Sequence, residues 1–218
     1  MCRKILLGCG VASSVLYIAT DILAARILAA RRFPGYRYTE YSISEEIAVA
    51  APTRRLWVAM SIPSSLLVVA LGAGVWASAA AEGRKPRTAG VTGAALVGYA
   101  ASSLAGGFLF PLLTPRGMPA PEPQGTQRAC QHMLATMVIN LFFLLAMGFG
   151  ATLRGKRFRS YTYGTMATLL VFGAMSGLYI PRLAADRPTP GLGIVERINV
   201  YASMLWLAVL PLALWRSR

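Results

Sequence analysis

The chain has 218 residues, 56% hydrophobic and only 14% charged, with 22 Lys and Arg against 8 Asp and Glu for a formal charge of +14. A soluble domain carries about a quarter charged residues, and here the apolar residues fall in long runs, which excludes an ordinary soluble fold and points to a membrane chain. The basic excess does not indicate nucleic acid, because the Lys and Arg sit in short clusters between apolar runs, a placement that suits anionic headgroups.

Runs of about 20 apolar residues are long enough to cross roughly 30 Å of hydrocarbon. The first predicted span is Ile5–Ala25. It contains Leu-Leu-Gly-Cys at Leu6–Cys9, but only about three apolar residues precede Cys9, too few for a cleaved signal, so a retained helix is expected. Cys2 and Cys9 lie about 10 Å apart along such a helix, too far for a disulfide. Ser13, Tyr17 and Asp21 recur at i+4 on one face. Asp21 has Ala25 on its next turn rather than a cation, so a cross-helix partner, Arg182 or Arg197, is expected. The loop Arg26–Arg55 follows, and its Tyr36, Tyr38 and Tyr41, with Trp57 beyond, suit an aromatic belt at the membrane surface.

The second and third spans are Leu56–Ala80 and Ala89–Leu113, joined by the basic EGRKPRT connection. Ser102/Gly106 and Ser103/Gly107 have the small-xxx-small spacing that lets helix backbones approach. A Pro-rich loop, Thr114–Gln127, leads to the fourth span, Arg128–Leu153, on which Arg128, His132, Thr136 and Asn140 recur at i+4. After the basic RGKRFRS connection comes the fifth span, Tyr161–Ala185, with Gly173/Gly177 at small-xxx-small spacing and Tyr179, Arg182 and Asp186 towards its end. In Asp186–Glu196, Pro188 and Pro190 stop the helix and Gly191 and Gly193 allow a turn. The last span is Arg197–Trp215, with Glu196, Asn199 and Ser203 at its start. The expected fold is therefore all-α: an integral membrane bundle of six transmembrane helices forming one domain over residues 1–218.

Lys and Arg divide evenly, 11 of the 22 lying on the side of the N-terminus. The two tight basic connections hold one acid between them, and the other seven acids lie opposite, which favours both termini in the cytoplasm. In either orientation Asp21, Arg116, His132, Arg182, Glu196 and Arg197 come to one membrane face, opposite the termini. Ionisable groups in a membrane usually face the bundle interior, so one reading is a polar pocket at the ends of spans one, four, five and six. The plainer reading is that these residues snorkel to headgroups and pin the helix ends.

One histidine excludes a dihaem cytochrome, and Cys130 and His132 give at most two ligands that point apart on a helix, so neither metal nor cofactor is indicated. No Walker lysine, dinucleotide-binding strand–turn–helix or Gly-x-Ser-x-Gly elbow occurs. A Ser13–His132–Asp21 arrangement has no nucleophile signature behind it.

SISEEIAVAAPTRRLW, FPLLTPRG with His132 downstream, and PTPGLGIVERINVYASMLWLAVL together resemble the multispan membrane family catalogued as domain of unknown function 998. The resemblance covers nearly the whole chain and implies a bacterial membrane protein of six or seven spans, here closest to six; the expected location is the bacterial plasma membrane. It implies family positions at Glu45 or Glu46, Pro52, Arg116, Gly117, His132, Pro190, Gly191, Glu196 and Arg197, and supplies no activity.

Three functions are expected in order. The first is a non-enzymatic protein that binds a lipid or other small amphiphile, with Arg116, Arg182 and Arg197 meeting an anionic group and His132 and Glu196 orienting it. The second is a lipid-modifying enzyme with His132 as general base and Asp21 or Glu196 orienting it. The third is an accessory subunit of a membrane complex. A transporter finds no support in paired broken helices.

Overall fold

A computed structural model describes residues 2–32, 35–82, 86–117, 126–185 and 187–215. Among these residues six helices are long and apolar enough to cross a membrane: Cys2–Arg32, Arg54–Ser78, Pro86–Leu109, Gln127–Gly150, Lys156–Leu183 and Leu192–Trp215. No strand occurs among the described residues. The chain is an all-α bundle of membrane-spanning helices.

The helices are α1 (Cys2–Leu23), continued by a π-helical segment (Ala24–Ala29) into α2 (Ala30–Arg32); α3 (Ile43–Glu46); α4 (Arg54–Glu82); α5 (Pro86–Leu109); α6 (Thr126–Gly150); α7 (Lys156–Gly177); α8 (Ile180–Ala184); and α9 (Leu192–Trp215). The first helix therefore runs on to Arg32, past the expected end at Ala25, because nothing between Leu23 and Arg32 breaks a helix and the π segment absorbs the register. The last begins at Leu192, five residues before the expected start. Gly191, at φ 88°, makes the turn, and Glu196 and Arg197 stand inside the helix.

Neighbouring helices follow the order α7, α9, α1, α4, α5, α6, and α6 and α7 touch little. Between them lies a core of Leu7, Leu71, Leu96, Phe143, Met147, Trp206 and Leu207. The indole of Trp206 crosses Phe143 edge-on and donates to the Thr162 hydroxyl at 3.0 Å. Small residues set the closest crossings, as expected for helices that gain nothing from burying apolar surface away from equally apolar lipid. At one of these, Gly72 and Gly93, a Cβ on either would stand 2.6–2.8 Å from the other's carbonyl. Gly106 packs on Ile139 and Ala135 as its spacing predicts, whereas Gly107 and Gly177 face open space.

The ends of α1 and α5 and the starts of α4, α6 and α9 lie at one end of the bundle. Residues 35–53 fold over that end as a cap. Its short helix α3 is closed by a capping box: the Ser42 hydroxyl accepts from the Glu45 amide at 3.2 Å, and Glu45 Oε2 accepts from the Ser42 amide at 2.9 Å. Beyond α3 the chain runs beside the segment after α5, with the Val49 and Ala50 amides donating to the Leu112 and Leu113 carbonyls at 2.8 and 2.9 Å.

Candidate functional site: a buried ion cluster and an open groove

Residues from three separated parts of the chain meet under the cap. Asp21 ends the polar stripe of α1, Glu46 ends α3, and Arg197 lies in the second turn of α9. They are 0%, 0% and 3% exposed. Arg197 donates to both oxygens of Asp21 at 3.1 Å, to Glu46 Oε1 at 2.5 Å, and to the carbonyls of Tyr38, Tyr41 and Gly193 at 3.0, 2.9 and 3.2 Å. Its guanidinium also lies 3.9 Å from the centre of the Tyr38 ring. Tyr201 donates to Asp21, Tyr36 to Glu46 Oε1, and the Trp57 indole to Glu46 Oε2 at 3.3 Å. A buried charge is tolerated when every donor and lone pair has a partner, and this set comes close to that limit.

Two carboxyl groups face one guanidinium. Burial pushes the Glu46 carboxyl up to about 7, against the opposing pull of Arg197, and pushes the Tyr36 hydroxyl above the ordinary tyrosine range. Gly193 explains how the cap comes so close to α9. A Cβ there would stand 2.6 Å from the Tyr41 carbonyl and nearer still to that of Tyr38, so only glycine admits the loop. Its role is close approach rather than the expected turn.

A second ion pair ties the cap to the segment after α5. Arg116 grips Glu45 in a fork, Nε–Oε1 at 2.6 Å and Nη2–Oε2 at 3.0 Å, and also donates to the Glu40 carbonyl at 2.9 Å and to Thr189 Oγ1 at 2.5 Å. Thr189 is itself fully buried and donates to the Glu40 carbonyl at 3.1 Å. The adjacent glutamates of Ser-Glu-Glu thus serve different arginines, Glu45 taking Arg116 and Glu46 taking Arg197.

The other expected residues stand elsewhere. Glu196 accepts from the Ile43 amide at 2.8 Å and from the Ser44 hydroxyl at 3.3 Å, capping the start of α3. His132 Nδ1 lies 2.9 Å from the Phe110 carbonyl, which can only accept, so the Nδ1 proton closes the end of α5. Neither Asp21 nor Glu196 bonds the imidazole. Arg182 is exposed, and its side chain bonds no other described residue, so the partner of Asp21 is Arg197. Asp186 lies outside the described residues. Tyr36, Tyr38 and Trp57, expected in a surface belt, turn inward onto the ion cluster, because the buried charges need their hydroxyl, ring face and indole N–H. Among the described residues, no three His, Cys, Asp or Glu are grouped to hold a metal ion.

Beside the cap a groove of about 670 Å³ opens where α4 begins and the antiparallel α5 ends. Arg32, Arg54 and Arg55 border it, and Val49, Val58, Ala59 and Phe108 form its apolar wall. Arg54 is held by the Ile47 carbonyl at 2.6 Å. Arg32 and Arg55 are exposed and bond no other described residue. Sequence reading passed over this feature, although the adjacent Arg54 and Arg55 at the threshold of a span were its visible trace.

The fold and these sites define a multispan helical membrane protein with one end closed by an ion-paired cap. Residues 11–213 match the family described as "Protein of unknown function (DUF998)", and the chain belongs to that family. No curated protein and no solved structure matches it.

Proposed function

We propose that this is a non-enzymatic membrane protein that binds a lipid or other small amphiphile at its capped end, on the outer face of a bacterial plasma membrane. The observation that carries the reading is the open groove beside the cap, which borders one apolar wall with basic side chains at the threshold of a spanning helix. Its volume falls within the range of small-molecule sites, roughly 300–1,000 Å³. Arg116, Arg197 and Glu196, first expected to hold the ligand, spend their hydrogen bonds on the cap itself and serve as its fasteners.

The lipid-modifying alternative draws no support from geometry. His132 uses Nδ1 on a helix end, and Asp21 uses its oxygens on Arg197 and Tyr201. Native mass spectrometry of the protein, extracted gently in detergent, should show bound lipid, and a panel of lipids should include one that raises its melting temperature. Bare protein together with a flat thermal response across the panel would remove the reading.

A further inference from the structure

Resting on that reading, we propose that the groove between the start of α4 and the end of α5 binds an anionic phospholipid, its phosphate held by Arg32 and Arg55 and the start of an acyl chain lying along Val58 and Phe108. Four observations lead there. Among the described residues no acid lines the groove, while three arginines border it, so the site is complementary to an anion. Arg54 is anchored to the Ile47 carbonyl and fixes the rim, whereas Arg32 and Arg55 have guanidinium groups that bond no other described residue. A guanidinium fork matches the oxygens of a phosphate better than an ammonium does.

The third observation is position. Arg54 and Arg55 are the first residues of a spanning segment, Val58 and Ala59 stand about one turn further in, and Phe108 lies in the last turn of the antiparallel span. Charge at the threshold and apolar surface just inside it is the order in which a phospholipid presents headgroup and chain. The fourth is exposure. Val49 and Phe108 are 48% and 45% exposed at the groove, whereas Ile43 and Trp57 beneath the cap are buried. The groove's size suits a headgroup and the beginning of a chain, the rest of which would lie in the bilayer. A soluble phosphate would use the arginines and leave that wall idle, so the lipid is the occupant the whole lining favours.

The test compares phosphatidylglycerol with phosphatidylcholine of the same chains, each added to the delipidated full-length protein and read by native mass spectrometry. Wild type should retain the anionic lipid in about tenfold preference, and the pair Arg32→Gln with Arg55→Gln should erase that preference. Ala59→Trp, which fills the groove without changing charge, should lower retention as well. Arg157→Gln with Arg159→Gln, removing the same charge from exposed positions at the opposite end, should change nothing.

Equal loss in that control pair, or a preference that survives Arg32→Gln with Arg55→Gln, would overturn the site. Displacement of the lipid by inorganic phosphate at equal concentration would overturn the lipid assignment in favour of a soluble anion. Retention of both lipids alike would defeat this inference and leave the proposed function standing, whereas retention of neither would defeat both.

Discussion

Arg197 and Arg32 carry the same guanidinium at the same end of the bundle, yet one is enclosed by its own chain and the other stands exposed on a groove. The difference lies in what surrounds them. Arg197 has two carboxyl groups, three carbonyls and a tyrosine ring within reach, and Arg32 has no partner among the described residues. Arginine at a membrane threshold can therefore be a fastener or a hand held out, and only its neighbours distinguish the two. The fastener should be costly to remove and indifferent to lipid, and the groove arginines should show the reverse.

The largest effect is expected at Arg197. Arg197→Met leaves Asp21 and Glu46 buried without their cation, which costs about 3–5 kcal/mol for a broken buried pair. Thermal unfolding and proteolysis of residues 35–53 would register the loss. Adding Asp21→Asn and Glu46→Gln should recover part of it, because the stranded charges are then gone. If Arg197→Met melted like wild type, the cap would not be fastened there.

Next comes pH. Glu46 has a folded pKa raised to about 7, above its ordinary value, so its protonated form is favoured by folding. The stabilisation is fully present below the unfolded carboxylate range and is lost as pH rises through about 7. Melting temperature should therefore fall from pH ~5 to pH ~8, by up to about 3 kcal/mol in stability. The groups facing Glu46 are Arg197, Asp21, Tyr36 and Trp57. Glu46→Gln should make the profile shallower, and an unchanged slope would assign the dependence to another group.

Smaller losses follow from shape. Gly193→Ala forces a methyl against the Tyr38 and Tyr41 carbonyls and should cost about 1–3 kcal/mol, seen as faster hydrogen exchange in residues 36–46. His132→Ala removes one hydrogen bond from the end of α5 and should cost about 1 kcal/mol without changing the exchange of the cap. The smallest effect on stability is expected for Arg32→Gln and Arg55→Gln, within about 0.5 kcal/mol of wild type in lipid-free detergent. A large loss there would make them fasteners too and dissolve the contrast.

Much of the fold was legible because a spanning helix is a local property. About 20 apolar residues in a row suffice whatever packs beside them. The spans fell where hydropathy placed them, with errors only at ends such as Arg32 and Leu192, where interfacial residues can join helix or loop. Helical spacing also brought Asp21, Glu196 and Arg197 to one end, and the absence of a cation next to Asp21 pointed to a partner on another helix. Sequence could not choose between Arg182 and Arg197, which stand one helix apart on the same face. Nor could it tell that Tyr38 and Trp57 turn inward, since an aromatic residue at a membrane threshold has the same pattern in a belt and in a cluster.

By itself the sequence determined six apolar helices, their alternation, and the gathering of acids at one end, because each depends on residues a few positions apart. The tertiary structure decided the rest. Arg197 meets Asp21 across 176 residues of chain, the neighbouring Glu45 and Glu46 part to different arginines, and the groove takes shape only where the start of α4 lies beside the end of α5. Such pairings are settled by which helices lie adjacent and how closely a glycine such as Gly193 lets them approach, and no local pattern encodes that distance.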